Sequence, residues 1–438
     1  MKNPKLLVLT VLTTFAMVGC SSGGNNSTLP SGGKDVDLSE DEGKAALKAK
    51  LEGAAGAYLT SEINALELNS NLSGANAGLS VSTNLLGADI SAGLNLSNFA
   101  LTSTTKALLH EDDAELHFDI AENVKTTNGK LAVNATLPTL DGKTTKFSSD
   151  LSLKGLEVNA YVVEDKAYVD FSNEENRALV TGAETFVNGL LDGVSKSIYG
   201  DFLPLITGSE MAAMFFDEEG KFAIANLYDE LDKKLAFDLK DALIVDLPFD
   251  LVEEAEEDDP TADVDDEDPT GDEDEEEYNI FDGIVETLSY VSSLDVGFQF
   301  KTYSDGGFAF GLSLNKEKIK KLVNTIDEDF DATQIDKYLN KFNFDAGVHF
   351  GKDFLLDSVK VSYTIDAKLD ELPLFGSEEE TYPTYYDEPE DVDDEEPTTY
   401  FNAKLTASAK YDLGIKYNTF TTLDLPDFSD FVPFALDL

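Results

Sequence analysis

The sequence is poor in the residues that most often build metal, redox and nucleic-acid sites. Its one cysteine, Cys20, excludes an intramolecular disulfide, a cysteine-rich zinc site and an iron–sulfur cluster. Its only arginine is Arg177, and 86 acidic residues against 32 basic ones give a formal charge of -54. Nucleic acid is excluded as a partner, because binding phosphates requires clustered basic side chains. The absence of tryptophan also removes the usual stacking platform for sugars.

Sequence signals for catalysis are also missing. The three histidines, His110, His117 and His349, lack the close spacing of a helical zinc motif, and the last two fall on the polar phase of their strands, facing solvent. No Gly-x-Ser-x-Gly elbow, phosphate-binding glycine loop or dinucleotide fingerprint occurs. Hydrolysis by a pair of carboxylates stays as a third alternative, although the sequence singles out no pair. We therefore predict a protein that is not an enzyme and has no cofactor.

The N-terminus has the pattern of a secretory signal. Lys2 and Lys5 precede an apolar stretch, Leu6 to Met17, that is too short to cross about 30 Å of hydrocarbon. Met17-Val18-Gly19-Cys20 resembles the lipobox of bacterial lipoproteins. The resemblance implies a signal peptide over residues 1–19, cleavage before Cys20 and a diacylglycerol on the Cys20 thiol.

This resemblance predicts where the protein is located. Two or three acyl chains give stable anchoring, which a single chain does not. The expected location is extracytoplasmic and lipid-anchored to the cell membrane, or to an outer membrane if the source has one. An ordinary secreted protein with a chance cysteine is the alternative.

Composition divides the rest of the chain. Residues 20–39 are predicted to form a lipidated flexible tether, since glycine and asparagine bury little apolar area. An N-terminal α+β domain over 40–252 and a C-terminal β-rich region over 278–438 follow. Between them, residues 253–277 hold 17 acidic residues in 25, and an insertion at 377–400 holds 11 in 24. Both acidic stretches are predicted to be disordered loops.

The first acidic stretch contains an incomplete calcium motif. Asp263, Asp265 and Glu267 have the spacing of the first ligands of an EF-hand loop. Position six of that loop is Asp268 where glycine is required, so we predict no defined metal site. Weak Ca²⁺ association with such dense negative charge remains physically reasonable.

Hydrophobic periodicity predicts an α+β fold. A helix is expected from about Glu40 to Leu66 behind a Ser39 capping box, and helical spacing returns between Asn173 and Leu235. Asn315 and Thr333 are predicted to cap two further helices. Alternating residues predict strands near 79–96, 116–120, 156–162, 296–300, 308–314, 342–350, 359–369 and 403–417, with hairpin signals at Asn128-Gly129 and Asp141-Gly142. We expect long curved antiparallel β-sheets packed with helices, in two β-rich regions separated by a helical block and an acidic loop.

Two interpretations of the apolar side of this sheet stay open. In the simpler one, helices pack onto it and fill it. In the other, packing is incomplete and leaves a cavity for acyl chains. Its lining would include Phe298, Phe300, Phe308, Phe310, Phe342, Phe344, Met211 and Met214.

A tethered lipoprotein with an N-terminal helix, a long antiparallel sheet and helices after a hairpin at 161–170 resembles lipoproteins of the LolA/LppX type. In that family a half-barrel closed by helices holds lipid. We therefore predict a membrane-anchored protein that binds or carries an apolar ligand or lipid in a sheet-helix cavity. The alternative is a structural or adhesive surface protein whose acidic loops recruit cations.

Overall fold

The computed structural model describes residues 28–85, 88–112, 115–164, 166–204, 215–216, 221–224, 234–238, 280–294, 297–326, 331–373 and 400–433. The α-helices whose bounds fall in these ranges are α1 (Asp41–Thr60), α2 (Glu174–Ser195), α3 (Ile280–Ser293), α4 (Lys316–Ile326) and α5 (Gln334–Tyr338), and two short 3-10 helices lie at Gly200–Phe202 and Phe428–Asp430. The strands are β1 (Lys34–Val36), β2 (Ala65–Leu85), β3 (Ala88–Asp112), β4 (Glu115–Pro138), β5 (Thr144–Ser152), β6 (Glu157–Val163), β7 (Lys166–Asp170), β8 (Lys234–Asp238), β9 (Gln299–Thr302), β10 (Phe308–Asn315), β11 (Leu339–Phe350), β12 (Leu356–Pro373), β13 (Tyr400–Tyr417) and β14 (Val432–Pro433).

All these strands belong to one open sheet, which together with the helices confirms the broad α+β class. The order is β1-β9-β10-β11-β12-β13-β2-β3-β4-β6-β7-β8-β14, and β5 pairs with β4 beside β6. Described strand pairs are antiparallel except β8–β14, which is parallel. The two predicted β-rich regions therefore share a sheet, joined where β13 pairs with β2. The division into two domains stays a prediction, because residues 239–279 lie outside the described part.

Strands form in each of the predicted regions, although the strand expected at 296–300 begins only at Gln299, and the strands of the sheet centre are longer than expected. β3 has 25 residues, which corresponds to about 80 Å at 3.3 Å per residue. The hairpin predicted at Asn128-Gly129 is wrong. Both residues lie inside β4, where the register with β3 shifts and Gly129 has a φ of 142°. Only glycine adopts this backbone readily, so the Asn-Gly pair marks an irregularity within a strand.

The N-terminal segment also differs from the prediction. Leu29 and Leu38 are buried, and β1 pairs with β9, so residues 28–38 fold onto the body. The flexible tether predicted for residues 20–39 is therefore wrong over that part. The burial of Leu29 and Leu38 and the pairing of β1 with β9 hold this segment in place despite its glycine-rich composition.

Several helix predictions need correction. α1 ends at Thr60, and Ser39 does not cap it, since the Ser39 hydroxyl donates to Asp37. Leu235, expected on a helical stripe, is buried in strand β8. Thr333 makes no capping bond at α5. By contrast, Asn315 caps α4 as predicted, with its Oδ1 accepting from Lys318 N at 3.0 Å.

The main core lies between α1, α3 and the β9–β12 part of the sheet. Its largest fully buried apolar side chains are Phe300, Phe308, Leu38 and Leu47. Phe308 stacks on Phe350 with ring centroids 4.5 Å apart. Burying large aromatic rings supplies the dominant hydrophobic stabilisation here.

A pair of tyrosines, Tyr58, which is buried, and Tyr417, which is half-buried, connects α1 to the sheet. The hydroxyls of Tyr58 and Tyr417 lie 3.0 Å apart, and Leu356 N donates to Tyr58 Oη at 2.9 Å. Burial raises the pKa of both tyrosines. The pair joins residues that are 359 positions apart.

This pair predicts a loss of stability at alkaline pH. Unfolded tyrosines lose their protons near a pKa of about 10, whereas the folded pair keeps them. The contribution of the pair is complete below pH of about 10 and falls above it, by up to about 1.4 kcal/mol per pH unit for each tyrosine. In urea unfolding between pH 8 and 11, the double variant Tyr58→Phe, Tyr417→Phe should show a shallower pH slope. Tyr290→Phe, at a 66% exposed position, is the control, and equal slopes in all three proteins would contradict the assignment.

Candidate functional site

The register of the sheet places apolar side chains on one side, the apolar face, and polar ones on the other, the polar face. Residues directly opposite in a ladder share a face, so rows can be followed across strands. Three apolar rows cross the sheet from β12 through β13, β2, β3 and β4 to β5. They are Leu369-Ala403-Val81-Ala92-Ala135-Phe147, Ala367-Leu405-Leu79-Leu94-Val133-Ser149 and Ile365-Ala407-Ala77-Leu96-Leu131-Leu151.

Helix α2 covers the β5 end of these rows. A Cβ at Gly193 would lie 2.2 Å from the Phe147 ring, and one at Gly189 would lie 3.0 Å from Ser149 Oγ. The Ser149 hydroxyl donates to Phe186 O at 2.9 Å. Glycines on one side of α2 therefore let the helix backbone approach β5 closely.

The other end of the rows is exposed. Leu79, Leu94, Leu369 and Leu405, which we call the apolar patch, are 46%, 47%, 40% and 47% exposed. Leu79 lies directly opposite both Leu94 and Leu405. The patch spans three strand spacings, or about 14 Å. Clustered exposed leucines on a sheet face are typical of a surface that binds apolar material.

The residues predicted to line a cavity divide into three groups. Phe298, Phe300, Phe308 and Phe310 are buried together in the main core. Phe342 and Phe344 are half-buried on β11, where Phe342 lies opposite Ile365 and so extends one apolar row. Met211 and Met214 lie outside the described residues.

The four leucines of the apolar patch were not predicted as site residues. The sequence shows alternating apolar and polar residues on their strands, and this alternation correctly places each of the four leucines on the apolar side of its strand. Which of the apolar residues remain exposed depends on where α1 and α2 pack. The sequences of the strands alone do not contain this information.

The clusters of polar side chains are weaker candidates for a functional site than the apolar patch. His349 Nδ1 lies 2.9 Å from Asp357 Oδ2, and the Tyr303 ring packs edge-on at 5.1 Å. The His349 side chain is only 14% exposed, so the expectation that it faces solvent is wrong, because Tyr303 and Asp357 cover it. His110 and His117 pair in register, but their side chains lie outside the described set. Within the described ranges no three His, Cys, Asp or Glu side chains are grouped to hold a metal ion.

The predicted anchor and loops cannot be located. Cys20, residues 253–277 and residues 377–399 lie outside the described residues. Among the helices that the structure describes, none is long and apolar enough to cross a bilayer.

No protein-family model matches the chain, and neither a curated protein nor a solved structure is significantly similar to it. The resemblance to lipoproteins of the LolA/LppX type therefore stays a prediction from the sequence. The same holds for the lipobox at residues 17–20.

Proposed function

We propose that this chain is a membrane-anchored extracytoplasmic lipoprotein that binds or carries an apolar ligand, such as a lipid acyl chain, on its apolar patch. The observation that carries the proposal is the exposure of four leucines in adjacent register positions. The role is binding and not catalysis. Cys20 holds the acyl anchor in this proposal.

The position of the patch supports a ligand site. Folding has packed α1 and α3 onto one part of the sheet and α2 onto β5, while the leucines between them stay in contact with water. Burying apolar surface yields about 25 cal/mol per Å², so an acyl chain laid across these leucines would gain free energy. Because the patch is open, ligands that differ in chain length can be accommodated.

The ligand proposal is tested with N-phenyl-1-naphthylamine, an uncharged apolar fluorophore, and with native mass spectrometry of Cys20→Ala protein. The triple variant Leu79→Gln, Leu94→Gln, Leu405→Gln should bind the fluorophore at least about tenfold more weakly, equivalent to 1.4 kcal/mol. The matched control is Ser80→Gln, Asn95→Gln, Thr406→Gln, in which the neighbouring residues on the polar face are changed. Equal binding by both variants, or none by the parent, would reject the patch as a ligand site.

The anchor is tested separately. Cys20→Ala should move the protein from the membrane fraction to the aqueous fraction of cells. Retention of this variant on membranes, or an unmodified Cys20 thiol in protein isolated from cells, would contradict the proposed location.

A further inference from the structure

Three neighbouring strands, β2, β3 and β4, change the phase of their side chains at the same level of the sheet. In each strand, the nearest apolar-face residues on the two sides of this level are five positions apart: Leu72 and Ala77 on β2, Leu96 and Leu101 on β3, and Thr126 and Leu131 on β4. Residues an odd number apart in a regular strand lie on opposite faces, so each strand contains one extra residue here. We call this level, residues 73–76, 97–100 and 127–130, the crease.

The crease determines on which face the leucines of the apolar patch lie. β13 keeps one phase along its length, and its odd-numbered residues lie on the apolar face from Ile415 in the core to Leu405 in the patch. Leu79 and Leu94 share that face only because β2 and β3 change phase at the crease. A shift of one residue moves every side chain of a strand to the other face. Without the extra residues, only Leu369 and Leu405 of the patch would remain on the apolar face.

The backbone takes up the extra residues in conformations that few residues adopt. Each strand has one residue with a positive φ in the crease: Gly74 at 56°, Asn98 at 50° and Gly129 at 142°. Glycine adopts such backbone without strain, and asparagine tolerates it better than most residues with a side chain. A Cβ at Gly129 would lie 2.9 Å from the Phe99 ring, so this position also has no space for a side chain.

Asn76 connects three strands at the crease. Its Oδ1 accepts from Asn98 N at 2.9 Å, and its Nδ2 donates to Gly74 O at 2.7 Å and to Ser408 Oγ of β13 at 3.2 Å. These bonds lie where the register of β2 with β3 and with β13 shifts, so they link the strands where regular pairing is interrupted. The Asn98 side chain itself is exposed, and its contribution comes from the conformation of its backbone.

Burial of side chains accounts for the phase change on β4 but not for those on β2 and β3. Above the crease, Ala135 of β4 is buried, and Phe147 opposite it packs against α2. Leu79 and Leu94, which β2 and β3 turn to the same face, stay 46% and 47% exposed. The positive φ of Asn98 therefore places an exposed leucine and not a buried one. Strained backbone of this kind is a reason to look for a functional role.

We propose that Asn76 and Asn98 are positioning residues for the ligand site: they hold the crease and thereby keep the four leucines of the apolar patch together on one face. The inference rests on the proposed binding of an apolar ligand to this patch. Asn76 lies opposite Ser408 on the polar face, so it acts on the ligand only through the strands. Asn98 acts through the phase of β3 above the crease.

Binding of N-phenyl-1-naphthylamine to folded variants tests this role. Asn98→Val should bind at least about fivefold more weakly, because a β-branched residue strongly disfavours a positive φ. Asn98→Gly should bind like the parent, since glycine adopts the same backbone. Asn76→Ala should weaken binding in the same direction as Asn98→Val. The controls are Asn95→Val and Asn71→Ala, at exposed positions in the regular parts of β3 and β2, and both should bind like the parent. Unchanged affinity of Asn98→Val, or equal losses in the controls, would overturn the proposal.

A disulfide reports the phase of β3 without any ligand. In Cys20→Ala protein, which has no other cysteine, Ala92→Cys and Ala135→Cys place two thiols directly opposite each other on the apolar face. Cα atoms of opposite residues are about 4.5–5.5 Å apart, which a disulfide can span. Adding Asn98→Val should slow disulfide formation at least about fivefold by turning position 92 to the polar face. Adding Asn98→Gly should leave the rate unchanged.

The two measurements separate the positioning role from the proposed function. Equal disulfide rates with valine and glycine at position 98 would show that Asn98 does not set the phase of β3 and would overturn the inference. Absence of fluorophore binding by the parent would reject the proposed function, whereas the disulfide rates would still decide whether Asn98 sets this phase.

Discussion

Replacing Asn176 by alanine is expected to lower the free energy of unfolding by about 2–4 kcal/mol. This side chain is 2% exposed at the start of α2. Its Nδ2 donates to Glu157 O at 2.7 Å and to Phe171 O at 2.8 Å, and its Oδ1 accepts from Glu157 N at 2.8 Å. Alanine would leave Glu157 N without this acceptor and would remove one donor each from Glu157 O and Phe171 O, although Asn173 N still donates to Phe171 O at 2.8 Å and Asn173 Nδ2 to Glu157 O at 3.4 Å. An unsatisfied group costs about 1–3 kcal/mol, and each further lost hydrogen bond costs about 1 kcal/mol.

Urea unfolding followed by circular dichroism measures this loss. Asn134→Ala, at an exposed position on β4, is the matched control and should change stability by less than about 0.5 kcal/mol. Asn176→Asp keeps an acceptor but loses both donors and buries a charge, so it should be at least as damaging as alanine. A loss below 1 kcal/mol for Asn176→Ala would show that α2 is held mainly by other contacts.

Loss of the Asn176 contacts also has a consequence for the proposed ligand site. Asn176 ties the first turn of α2 to the ends of β6 and β7, and the same helix covers Phe147 on β5. A loosened α2 would uncover more of the three apolar rows. Fluorescence of N-phenyl-1-naphthylamine should therefore increase in Asn176→Ala, in contrast to its decrease when the leucines of the apolar patch are replaced.

The strands were predictable from the sequence because their side chains alternate on a local period. Two examples are residues 359–369, which lie within β12, and residues 403–417, which lie within β13. Strand pairing was not predictable to the same extent. The β4 strand changes partner from β6 to β5 near Gly129, so its Asn-Gly pair does not make a turn.

The candidate site required information that no local pattern contains. Leu405 and Leu79 are far apart in the sequence and become neighbours only when β13 pairs with β2. The phenylalanines attracted attention because aromatic residues are frequent in apolar cavities, yet four of them lie in the core. The four leucines are exposed because none of the helices in the described part of the chain packs on them, and where those helices pack depends on the whole fold. The lipid anchor at Cys20 stays a prediction from the sequence.

Phe308→Ala is expected to destabilise the protein by about 3–5 kcal/mol, and it distinguishes a filled core from a cavity. Phe308 is 0% exposed, stacks on Phe350 and has ring contacts with Phe300, Phe310 and Phe354. Removing a ring from a close-packed cluster leaves a void that the neighbours cannot fill. If this ring lined a ligand cavity instead, its removal would enlarge the cavity at a small cost in stability and would change ligand binding.

The two measurements together decide between these interpretations. We expect a large drop in urea unfolding free energy and unchanged affinity for N-phenyl-1-naphthylamine under conditions where the variant remains folded, because Phe308 belongs to the core and not to the apolar patch. Phe118→Ala, at a 42% exposed position on β4, controls for loss of an aromatic ring and should cost less than about 1 kcal/mol. A small stability loss together with altered fluorophore binding would instead place the ligand among the phenylalanines, as the sequence first suggested, and would make the exposed leucines a surface for a different partner.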